Sequence, residues 1–479
     1  MSFTPVVSAK AGSSGAKKIS IKPLKIKPKI PENFEAETWA KLRAAVRAVH
    51  AKQAVGHSFE ELYRAVEDMC LQNLAGTVYD RLRAECEQHI ESRLELLLGQ
   101  TPDVLAFLTL VQACWADHCE QMLTLRSIFL YLDRTYVMQA ATKKSLWDMG
   151  LQIFRTHLSR RPEVARKAVQ GLLQLIESER SGDQVERLLL HSLLRMFHDL
   201  GMYVDLFEAP FLKATREYYA SEASTQLQAL DVPSYLHHVR QRLAQEEQRV
   251  VHYLHLSTRK ALLACTLEQT LAAHTDAIVE KGFSALMDQT RLDDLKNMYG
   301  LYGLVDALPK LKAAFAAYIK RVGTAMVGDA EQEKSLVAEL LLFKERLDKV
   351  LTASFSSNES FMHSLKEAFE TFINGRQNRA AELVARFIDT KLRSGNKGTS
   401  DEELEEVLDK TMTLFRYIDG KDMFEAFYKK DLSKRLLLDK SASQVHAHAC
   451  TPLPSHHPPQ LTHSPPYACT PFPSPTITH

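Results

Sequence analysis

Between Pro31 and Ser443 only five prolines interrupt the chain, at positions 102, 162, 210, 233 and 309. Proline removes a backbone donor and clashes with the preceding turn, so helices start or stop at it. The long stretches between these positions are filled with Leu, Ala, Glu, Lys, Arg and Gln, the strong helix formers. Apolar residues recur at helical spacing over 38–52, 59–71, 77–98, 104–117, 120–136, 146–155, 185–200, 226–230, 232–254, 285–289, 336–351, 358–372, 380–393 and 401–416. No alternating runs flank an Asn-Gly turn, so strand pairing has no signal. The pattern predicts an all-α body. Many short helices, each with one apolar stripe, must stack on one another, and an elongated helical solenoid satisfies that at this length. Periods of 34 or 40 residues are not visible.

Three compositional zones follow. Residues 1–35 form a basic arm, 36–443 the helical body, and 444–479 a tail with nine prolines and no Asp, Glu, Lys or Arg, a composition that predicts disorder. Residues 1–34 carry seven lysines against Glu32, +6, which leaves −5 for the rest of a chain whose net charge is +1. A slightly acidic body lacks the broad basic face of a nucleic-acid binder, so direct nucleic-acid binding is not expected, and the alternative of a nucleic-acid or chromatin tether would rest on the arm alone. No apolar run reaches the roughly 18–20 residues that span a bilayer, and no membrane contact is expected. The seven cysteines have no tight spacing framework, which predicts reduced thiols in an intracellular protein.

Catalytic chemistry has no residues to name: there is no phosphate-binding glycine loop, no HExxH and no paired CxxC. Neither an enzyme nor a cofactor site is expected. Cys114, His118 and Cys119 imitate metal ligands on one helical turn, but without a fourth ligand they read as packed side chains. His191 and His198, seven apart, read as a satisfied or exposed pair, and the tail histidines and cysteines as at most a loose metal holder.

Three segments offer binding chemistry. In the arm, Ile19, Ile21, Leu24, Ile26 and Ile30 alternate with lysines, while Pro23, Pro28 and Pro31 forbid a helix. An extended strand that presents apolar groups to another protein's groove is one reading; a disordered tail or an import signal is the other. Over 114–139 one stripe, Trp115, Met122, Leu125, Phe129, Leu132 and Tyr136, faces a core, and a second, Leu123, Arg126, Leu130 and Arg134, mixes apolar and basic residues. A helix apolar on more than one side is either buried or docks a partner. Over 58–70, Ser58 and Glu61 form a capping box at the start of a helix. Near the end, 414–443 predicts a helix closed by Gly420 in left-handed geometry. A second helix follows, capped by Asp422, with Phe424, Phe427, Tyr428, Leu432 and Leu436 along one face.

The wording of these segments resembles the cullin family, and its cullin-4 branch in particular. PENF at 31–34 precedes Thr38, Trp39, Lys41, Leu42 and residues 45–49; LRSIFLYLDRTYV stands at 125–137, SLWDMGLQIFR at 145–155 and IESERSGD at 176–183. FETFIN, KLRSGNK and DEELEEVLDK follow at 369–374, 391–397 and 401–410. The resemblance covers about residues 17–443. It implies three cullin repeats of about five helices, over 36–150, 151–290 and 291–395, then the start of a C-terminal region and its four-helix bundle at 396–443. It implies a scaffold of a ubiquitin ligase complex in the cytoplasm and nucleus, whose first repeat holds an adaptor. That adaptor would be a propeller similar to damage-specific DNA-binding protein 1, with its substrate receptors. The expected adaptor contacts are Ile19, Ile21, Leu24 and Ile26 in the arm with Tyr63, Val66, Met122, Leu123, Arg126 and Leu130 in the repeat. Because the resemblance stops near 443, the chain reads as a shortened product that binds adaptor, loses RING-box protein and competes with intact cullin. Without bundle partners, Phe424, Phe427, Tyr428 and Leu436 are expected to be exposed or frayed.

Overall fold

A computed structural model describes residues 32–98, 103–329, 333–376, 378–393 and 401–438. Among them the regular structure is helical throughout, with no strand. The chain divides into two compact units, residues 1–225 with 241–270 and residues 226–240 with 271–479.

The first helices are Phe34–His50 (α1), Phe59–Leu71 (α2), Ala75–Leu98 (α3), Val104–Ile128 (α4) and the short Leu130–Leu132 (α5), which runs into a π-helical turn at Asp133–Val137. Leu146–Ser159 (α6), Pro162–Ser181 (α7), Arg187–Asp199 (α8), Ala209–Ala229 (α9), Val232–His252 (α10) and Thr258–Thr270 (α11) follow. Then come Thr275–Ile278 (α12), Ser284–Asp288 (α13), Leu292–Leu304 (α14), Leu308–Gly328 (α15), Leu336–Ala353 (α16), Glu359–Ile373 (α17), Arg379–Leu392 (α18), Asp401–Phe415 (α19) and Lys421–Leu437 (α20).

The four described prolines of the body stand among the first two residues of α7, α9, α10 and α15, where a missing N–H costs least. Gly182 ends α7 at φ +105°, its N–H on the Glu179 carbonyl and the next N–H on that of Ser178, a left-handed cap that glycine adopts cheaply. Two expectations need correction. The break placed between 117 and 120 is absent: α4 continues, because nothing there stops a helix and the buried row Cys114, Trp115, His118 and Met122 carries the core seam across it. Gly420 sits at φ −77° and precedes α20, so it neither closes a helix in left-handed geometry nor leaves Asp422 as the cap.

In the first unit one contiguous core runs from Leu42 to Leu262. It also buries charge. Glu246 Oε1 accepts from Arg180 Nε (2.9 Å), Arg249 Nη1 (3.0 Å) and the Tyr219 hydroxyl, while Arg180 Nη2 donates to Thr215 Oγ1 (2.9 Å). Glu179 receives Arg249 Nε, the Tyr253 hydroxyl and Arg187 Nε at 2.6–2.9 Å. Three donors converging on Oε1 offset much of the cost of burying this carboxylate, while Glu246 Oε2 is buried without a hydrogen-bond partner.

In the second unit Tyr299, Phe315, Phe355 and Phe361 form an aromatic knot with ring centroids 4.9–5.9 Å apart. The stripe of α20 is largely packed: Tyr428 is buried, Phe424 lies 4.5 Å from Phe415, and Arg435 donates to Asp389 of α18 at 2.9 Å. Leu436 alone of the four stands exposed. No helix of the described residues is long and apolar enough to cross a membrane.

α15 and α17 approach closely because Gly323 has no side chain: a Cβ there would stand 2.4 Å from the Phe372 ring. Gly323→Ala is therefore expected to lower stability by about 1–3 kcal/mol, the range for overpacking a core. Phe372→Leu in the same chain should restore part of the loss in urea titrations.

Candidate protein-docking face

The first unit's candidate face is built on α2, α4 and α5. Ser58 caps α2 by accepting the Glu61 N–H at 3.2 Å, which sets the phase of the helix. Leu62, Ala65, Val66 and Met69 then face the core. Phe59, 54% exposed, and half-buried Tyr63 lie on the outer side, and the Tyr63 ring meets that of Tyr131 edge-on at 6.1 Å. Such an aromatic pair adds about 0.5–1.5 kcal/mol beyond its buried area.

On α4 and its extension, Trp115, Met122, Leu125, Phe129 and Leu132 are buried. Leu123, 53% exposed, Arg126, half-buried Leu130 and Arg134 follow one another on the outside at steps of three or four. Met138, 81% exposed, stands just past the π-helical turn. Asp133 is buried in that turn, with Oδ1 accepting the Leu146 N–H (2.9 Å) and Oδ2 the Arg126 Nε–H (3.2 Å). The face is thus apolar with a basic edge, and it exposes large side chains that a monomer ordinarily buries.

Of the residues expected to meet a partner, Tyr63, Leu123, Arg126 and Leu130 reach this surface. Val66 and Met122 do not. Val66 is 0% and Met122 2% exposed. Val66 falls in the core row of α2, and the Met122 thioether occupies the space over Gly150, where a Cβ would lie 2.8 Å from it. Both are withdrawn from the surface. Ile19, Ile21, Leu24 and Ile26 lie outside the described residues, as does the tail. Periodicity missed Phe59, which has core spacing with Leu62, Val66 and Met69. Tyr131 and Met138 were missed too; the only signal was the LRSIFLYLDRTYV wording, which contains Tyr131 and ends one residue before Met138.

Behind the face, His118 is buried and donates its Nε2–H to the Gly150 carbonyl at 3.0 Å. Burial pushes its pKa down to about 4, and nearby His89 adds to the effect. His50 and His89 stack at 4.1 Å with rings 6° from parallel; His50 is pushed down to about 3 by burial and by the two other histidines. Burial also lowers His89, with Arg93 contributing. The neighbouring thiols of Cys114 and Cys119 are pushed up to about 11 by burial, so they are protonated packing groups near neutral pH. His191 and His198 are exposed, and His198 stacks on His255 at 4.1 Å.

The helical body carries a candidate docking face, and comparison with known proteins shows the family to which it belongs. A family model described as the cullin alpha solenoid domain matches residues 39–447. Cullin-4A of Homo sapiens is 48% identical over 433 residues, 90% of this chain and 57% of that protein. Cullin-4 of Dictyostelium discoideum is 46% identical over 443 residues, 92% and 55% respectively, and Cullin-3 of the same organism 33% over 423 residues, 86% and 54%. The chain belongs to the cullin family. It spans a little over half the length of these curated relatives.

The neutral histidines behind the face set an acid limit. Their folded-state pKa values lie below the unfolded value of about 6.5, so their contribution is complete above that pH and is lost as the pH falls. For His118 alone the loss between pH 6.5 and 5 is about 2 kcal/mol. Urea midpoints of the first unit's transition are expected to fall over this window, and His118→Gln, which retains a donor, should flatten the decline.

Proposed function

We propose that this chain is a non-catalytic scaffold of a cullin-RING ubiquitin ligase, and that the face on α2, α4 and α5 holds its adaptor. The observation that carries the reading is the combination of exposed Leu123 and Phe59 with half-buried Leu130 and the Tyr63–Tyr131 pair. These helices already commit a full core side, so a second apolar side has no use within the unit. Family membership supports the class of complex, and the relatives named Cullin-4A and Cullin-4 support an adaptor of the damage-specific DNA-binding protein 1 type, with its substrate receptors. The arm residues Ile19, Ile21, Leu24 and Ile26 would add contacts to the same partner.

A scaffold contributes by fixing the distance and orientation of what it carries, so helices packed through dry cores suit the task. Aromatic and long apolar anchors that lose water on docking dominate such interfaces, while the basic edge governs encounter rate and salt sensitivity.

Tyr63→Ala, and separately Leu123→Glu with Leu130→Glu, should each weaken adaptor capture by about 2–4 kcal/mol. Calorimetric titration with the purified propeller measures it, with circular dichroism to establish folding. Unaltered affinity in a folded double variant would place the adaptor on another surface. Because the chain and a full-length cullin-4 would share this face, excess chain should displace the full-length protein from the propeller.

A further inference from the structure

We propose that Asp133 is a positioning residue of the docking face, fixing the Arg126 guanidinium in the orientation that meets an acidic group of the adaptor; the inference rests on the adaptor reading above. Three facts meet at this carboxylate. Asp133 opens the π-helical turn Asp133–Val137, an irregularity in a helix that otherwise carries the face. Such turns frequently accompany functional sites. The carboxylate is buried, yet each oxygen has a partner from a different part of the fold.

Oδ1 takes the N–H of Leu146, the first residue of α6. The first N–H groups of a helix have no partner within it. Ser145 satisfies only one here, that of Asp148, at 3.1 Å. A carboxylate at this end is favoured by the helix dipole as well. Oδ2 holds Arg126 Nε, whose side chain is about half exposed. With Nε occupied, the two terminal nitrogens of the fork remain for an incoming carboxylate. One buried anion thus ties the surface arginine to the first turn of α6, and Arg126 is held rather than sampling rotamers. The entropy cost of ordering it is met in folding instead of on binding.

An ordinary capping role for Asp133 would predict loss of stability only. The two accounts separate in a double-mutant cycle on the full chain, with propeller affinity measured at several salt concentrations. Asp133→Asn keeps an acceptor for the Leu146 N–H but loses the charge toward Arg126. It is expected to weaken binding about tenfold and to reduce its salt dependence. Arg126→Ala should do the same, and the double variant should bind as either single one does. Additive losses, or full affinity in folded Asp133→Asn, would overturn the proposal. Should Asp133→Asn fail to fold, Arg126→Lys decides: it retains the charge without the Nε–H, so the proposal requires weakened binding and full affinity refutes it. The Arg126 Nε–H nuclear magnetic resonance signal of the free chain provides a readout without adaptor. It should be protected in the wild type and lost in Asp133→Asn, and absence of protection in the wild type refutes the strut. A wild-type chain that keeps this protection but does not bind the propeller would overturn the adaptor reading alone.

Discussion

Glu246 has no surface exposed to water, yet it sits among apolar helices, and the first unit brings two arginines and a tyrosine onto its Oε1 while Oε2 stays buried without a hydrogen bond. Arg180 comes from α7, Tyr219 from α9, and Arg249 lies one turn along α10 from Glu246 itself. Removing one partner of such a buried pair typically costs about 3–5 kcal/mol, because the other charge is left unpaired. Apolar stripes allow helices to slide past one another with little penalty. This junction does not, since a shift of one residue would strand a charge. Glu179, adjacent in sequence, extends the arrangement through Arg187, Arg249 and the Tyr253 hydroxyl. Apolar burial supplies the drive to stack, and the ion junction supplies the register.

Legibility in the sequence followed the same division. The all-α class was readable because proline scarcity and helical periodicity are local signals, and α2 appeared with its observed limits because Ser58 announces its start. What local signals misjudged were helix boundaries set by packing. The continuity of α4 through Asp117 follows from buried His118 and Met122, and the geometry of Gly420 from what lies on either side of it. In the candidate face, residue type picked out Tyr63, Leu123, Arg126 and Leu130 but could not separate them from Val66 and Met122. Valine and methionine look alike whether they point in or out, and one hundred degrees of helical phase decides which. The ion junction was invisible, because Arg180 and Glu246 lie 66 residues apart.

The face and the core behind it use polar groups differently. Outside, Arg126 and Arg134 form a basic edge that water can reach. Inside, His118 is kept neutral and spends its Nε2–H on a backbone carbonyl. Between them lies Asp133, paired on both sides. Polar chemistry behind an apolar docking surface gives it one defined shape, which close-packed apolar side chains alone specify less sharply.

The length of α4 has a mechanical consequence. Its 25 residues make a rod about 37 Å long. Near one end Val104 and Leu108 sit in the notch left by Gly171, and near the other Met122 sits in the notch left by Gly150. A rod seated at two such points behaves as a clamped beam with Leu123 and Arg126 just beyond the second clamp. Load applied there passes into α6 and α7 through side chains in hard contact instead of being absorbed by bending. Filling either notch would tilt the beam, and a small displacement near Val104 would be delivered, as by a lever, to the surface more than two dozen ångströms away.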